Sequence, residues 1–94
     1  MNEMNVTTGQ IDTVDEVYRF AERLKSICQE KGVLELFKKL DNSMRLGSSA
    51  LEILGAIRQT LTENRGEIEQ LLGVAGKEEV DRVVAFVDRA FGRT

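Results

Sequence analysis

The chemistry open to this chain is bounded by what it lacks: there is no His and one Cys, Cys28. Without imidazole, a Ser, Thr or Cys nucleophile needs Lys, a carboxylate or an N-terminal amine as its base. Cys28 falls on the apolar side of an amphipathic run, where a thiol acts as a small hydrophobe. Transition-metal sites want clusters of His and Cys, and one Cys does not make a cluster. Glu78, Glu79, Asp81 and Asp88 could meet a hard cation, yet no segment has the alternating oxygen ligands of a calcium loop. They read as a solvated acidic face. Gly47-Ser48-Ser49 stands where a helix should begin and could attract an anion, but no Lys follows in the phosphate-loop pattern, and capping accounts for the serines. The sequence predicts no enzyme, no catalytic or metal-binding residue and no cofactor.

Binding is the remaining class of function, and composition narrows it. Among 94 residues the formal net charge is −3, whereas a nucleic-acid binder usually carries a basic excess. Arg58 and Arg65 flank a possible helix-turn-helix junction, but the following helix presents Glu67, Glu69 and Gln70, which phosphates would repel. Acidic residues interleave with the densest basic cluster, Lys38, Lys39 and Arg45. A small DNA-binding regulator is therefore the least favoured of the readings retained. No run approaches the roughly 20 apolar residues of a membrane span, and the helices' polar faces lack the Lys/Arg enrichment of interfacial helices. A lone Cys fits a reducing compartment, so the expected location is cytoplasmic.

The elements that must carry any such surface are helical. The chain has no Pro and 5% aromatic residues, with 41% hydrophobic and 31% charged residues, which suits a globular all-α domain. Residues 1–12 are polar and aperiodic and read as a flexible N-terminal arm; residues 13–94 form a single helical domain. Thr13 and Glu16 have capping-box spacing, and Val14, Val17, Tyr18, Ala21, Leu24, Ile27 and Cys28 follow helical periodicity up to Lys31-Gly32. A short helix follows over 33–41, with 42–47 as a connection. Ser49 and Glu52 cap a third helix over about 48–64. Asn64 and Glu67 suggest a cap for a fourth, closed by Gly73 and Gly76. The fifth runs over 77–91 with Val80, Val83, Val84, Val87, Ala90 and Phe91 as its stripe.

The third helix is apolar over more than half its circumference, through Ala50, Leu51, Ile53, Leu54, Ala56, Ile57 and Leu61. It needs neighbours on several sides, which makes the expected architecture a compact bundle of four to five short helices around it. Phe20 and Phe86 lie at the edges of their own stripes, and Leu51 at the far edge of this one. Such residues either complete a core or border a groove for a partner helix. Phe20, Leu51 and Phe86 are the candidate partner-binding residues. The partner is another protein, through a hydrophobic segment or helix, or a second copy in a homodimer.

The order of the strings VYRFAERLKSICQEKG, VLELFKKLD, ALEILGAIRQTLTEN and IEQLLG, over roughly residues 17–73, resembles the small helical tail assembly chaperones of tailed phages. That resemblance implies a non-enzymatic adaptor or chaperone that binds hydrophobic segments of the tape-measure protein. A self-assembling structural oligomer is the alternative.

Overall fold

A computed structural model describes residues 13–92; the expected N-terminal arm lies outside the described residues, as do the last two residues of the expected domain. Four helices follow one another: α1 (Val14–Lys31), α2 (Leu34–Leu46), α3 (Ala50–Glu63) and α4 (Arg65–Ala90), with no strand among the described residues. The all-α bundle expected from composition and periodicity is the fold observed.

Local chemistry sets the helix ends. Thr13 Oγ1 accepts from the Glu16 N–H at 3.2 Å while the Thr13 N–H donates to Glu16 Oε1 at 3.0 Å, so the capping box of α1 is formed. Gly32 ends that helix at φ 73°, where a side chain would be strained, and the next N–H, from Val33, returns to the Cys28 carbonyl at 2.8 Å. Ser49 caps α3 by accepting from the Glu52 N–H at 3.2 Å. The Glu52 carboxylate does not close a box with Ser49. It accepts instead from the backbone N–H and hydroxyl of Ser48, at 2.7 and 2.9 Å.

Two boundaries differ from the sequence expectation. Helix α2 continues through residues 42–46, which the sequence assigns to a connection. The polar run Asp41-Asn42-Ser43 interrupts the apolar periodicity, but Ser43 is buried and its hydroxyl donates to the Lys39 carbonyl at 2.8 Å. An internally satisfied Ser can sit in a helix facing the core. Asn64 is the second difference. Rather than capping α4, its amide donates to the Thr60 carbonyl at 2.8 Å and its Oδ1 accepts from Lys39 at 3.2 Å, so it closes α3 and ties it to α2.

The expected fourth and fifth helices run together as α4, broken only at Gly73, with φ 77° and ψ −163°. That region is open to Gly alone. Gly76 is buried one turn later, and a Cβ placed on it would stand 1.9 Å from Leu72 Cβ. The break therefore needs both glycines, Gly73 for its dihedrals and Gly76 for room.

The core joins Val17, Phe20, Leu24 and Cys28 of α1 to Leu36 and Leu40 of α2, Leu54, Ile57 and Leu61 of α3, and Ile68, Val80, Val83 and Val87 of α4. Each large side chain contributes roughly 1.5–3 kcal/mol by leaving water. Helix α3 packs along α2 and α4 and also touches α1, as its broad apolar face requires. Helix α1 shares that central position, because it too touches the other three, while α2 and α4 do not approach each other. Among the described residues no helix is long and apolar enough to cross a membrane.

Candidate functional site

The three residues expected at a partner surface go to three different environments. Phe20 is 1% exposed and belongs to the core. Its ring is covered by the Arg23 guanidinium, 5.5 Å from the centroid, and Arg23 is ion-paired to Glu79 of α4. The edge of the α1 stripe is thus closed by a cation rather than left for a partner. Phe86 is half-buried against the core. Leu51 is 47% exposed, in the first turn of α3.

Leu51 has an apolar neighbour that the sequence placed in the core. Phe91, at the end of α4, is 38% exposed, and a Cβ built on Gly55 would lie 3.3 Å from its Cζ. Gly55 follows Leu51 by one turn on the same side of α3, so Leu51 lies on the side of α3 that Phe91 approaches, near where the start of α3 meets the end of α4. The signal for it in the sequence is Gly55: a glycine inside an otherwise strong helix marks a close approach. Between the same two helices Arg58 Nε donates to Asp88 Oδ1 at 2.7 Å, and both side chains are about 30% exposed. This pair pins the end of α4 to α3. Leu34 and Val74 are also exposed, at the start of α2 and just after the α4 break.

A second feature is polar. A groove of about 300 Å³ between α2 and α3 is lined by Lys39, Asn42 and Gln59, with Ser43 and Thr60 at its floor. Ser43 and Thr60 oxygens lie 2.5 Å apart, and since Ser43 gives its proton to the Lys39 carbonyl, Thr60 donates to Ser43. The floor is therefore self-satisfied and joins the two helices at their one buried side-chain hydrogen bond among the described residues.

The charged groups near the helix junctions are engaged within the chain. Arg65 pairs with Asp81 and, at 2.9 Å, with Glu69, which raises its affinity for its proton. Lys25 donates to Asp41 at 2.9 Å, and this bond, with help from Arg45, holds the Asp41 carboxyl below the usual carboxylate range. Glu52 is lowered as well, chiefly by the Ser48 N–H. Cys28 is fully buried, and burial pushes its thiol above the ordinary value, with Glu67 adding to the effect. No group of three or more His, Cys, Asp or Glu residues is placed to hold a metal ion among the described residues.

The geometry defines an all-helical bundle with exposed apolar residues beside the α3–α4 contact and several charged side chains paired across helices. Comparisons with protein-family models, with curated proteins and with solved structures give no match.

Proposed function

We propose that the chain is a non-enzymatic protein–protein interaction module that takes an apolar segment or helix of a partner along the α3–α4 edge. The observation that carries this reading is the exposure of Leu51 and Phe91, two large apolar residues on the side of α3 where Phe91 packs on Gly55. A small domain needs its large apolar residues inside, and here Leu51 and Phe91 stay 47% and 38% exposed. The Arg58 and Arg65 pairs support protein rather than nucleic acid as partner, because cations already matched to Asp88, Glu69 and Asp81 have less to offer phosphate. With the resemblance to tail assembly chaperones, the best candidate segment is an apolar stretch of a tape-measure protein, met in the cytoplasm during assembly. Self-association is a second reading, favoured by the break in α4.

The test is titration of amphipathic apolar helical peptides, including ones that tile the apolar stretches of a phage tape-measure protein. Saturable binding is expected, weakened at least tenfold by Leu51→Lys. The melting midpoint of that variant should move by less than about 4 °C, as suits a surface change. Phe20→Ala should instead cost about 3–5 kcal/mol of stability. Equal binding by wild type and Leu51→Lys would overturn the reading.

A further inference from the structure

The break at Gly73 divides α4 into a half that continues from α3 and a half that closes the core. The second half brings Val80, Val83 and Val87 to zero exposure, and ion pairs fasten it to α1 through Arg23–Glu79 and to α3 through Arg58–Asp88. All of these contacts are made by residues beyond Gly73, and none depends on which copy of the chain supplies them. Position 73 itself is open, since a Cβ there would meet nothing within 4 Å and Val74 beside it is 78% exposed, while Gly76 against Leu72 and the Arg65–Asp81 pair close the bend around it. The choice of Gly at position 73 is therefore set by its dihedrals rather than by room for a side chain. In a straight helix both Gly73 and Gly76 would be replaced with advantage, since each costs helix stability relative to Ala. Their presence serves the bent form alone.

We propose that Gly73 is an exchange hinge: bent, it lets the second half of α4 close its own core, and straightened, it delivers that half to the core of a second copy. The straight form is a continuous helix of 26 residues, about 39 Å long at 1.5 Å per residue. Such a rod cannot fold back, so its valines are buried only against another molecule, which receives them in the same α1–α3 cleft. The two copies then trade halves reciprocally, a closed two-fold arrangement. This inference rests on the self-association reading and specifies its route.

The experiment replaces Gly73 with Ala, for which φ 77° is strained and the helical region is favoured. Sedimentation of Gly73→Ala should give twice the wild-type monomer mass with helical content retained. Exchange is then separated from simple association by charge reversal in the Gly73→Ala background, using one chain with Arg58→Asp and another with Asp88→Arg. Each alone sets like charges against each other, whereas a mixture that exchanges halves restores opposite charges at both sites. Mixed dimers should exceed the statistical half after refolding together. A folded, monomeric Gly73→Ala overturns the proposal, as does a variant that stays unfolded at millimolar concentration. Dimers that mix without preference keep self-association and overturn the exchange.

Discussion

At the scale of single residues, burial and pairing decide what each side chain contributes. Asp41 shows how a half-exposed carboxylate can be tied into the fold, since Lys25 of α1 and Arg45 of its own helix both reach it. Its folded pKa lies below the unfolded value, so its stabilising contribution is complete above the unfolded pKa of about 4 and is lost as pH falls through the lower folded value. Asp41→Asn should therefore lower stability near neutrality and flatten the acid limb of a denaturation profile followed by circular dichroism. Indifference of that limb to the substitution would assign the acid sensitivity to other carboxylates, Glu52 foremost. The residue scale is also where the sequence was least legible. Phe20 and Leu51 both stand at stripe edges in the sequence, yet Arg23 and Glu79 close over one while the other stays in solvent. The difference involves Glu79, 56 positions from the Arg23 it holds in place, and no local pattern reports it.

At the scale of elements, the start and stop signals were largely legible. The Thr13–Glu16 box, the Ser49 cap and the Gly32 stop each satisfy backbone groups through near neighbours, so their spacing in the sequence suffices. Asn64 failed for the opposite reason. Two helix ends meet there: the Asn64 amide donates to the Thr60 carbonyl, and its Oδ1, the acceptor a cap of α4 would use, is turned to Lys39. Likewise α2 outlasted its apolar pattern because Thr60, on another helix, provides Ser43 with a buried partner. Glycines inside α4 allow a direct comparison. Gly66 has open space around an added Cβ, so Gly66→Ala should raise stability by about 0.5–1 kcal/mol. Gly76→Ala must push against Leu72 Cβ and should lower it by about 1–3 kcal/mol in dilute solution. Urea titration of both variants checks the pair, and equal effects would mean that the break in α4 does not persist in solution.

At the scale of the whole molecule, the bundle closes around α1 and α3 together, and Cys28 lies at zero exposure within it. Because its thiol is both buried and raised in pKa, labelling by a disulfide reagent must wait for opening. Wild-type protein should react at least about 10³-fold more slowly than the unfolded chain, given the usual stability of folded domains. Phe20→Ala should recover much of that loss, and Leu51→Lys should not. Fast labelling of the wild type would place Cys28 in a locally open part of the fold. The sequence by itself determined the helical class, most helix ends and the breadth of the apolar face on α3, because these depend on composition and on spacings within a few residues. Only the tertiary structure decided which stripe edges are covered, where α4 bends and that Phe91 meets α3 on the side of Leu51. Those outcomes depend on which distant side chains arrive at the same place, and the packing of four helices against one another sets that arrival.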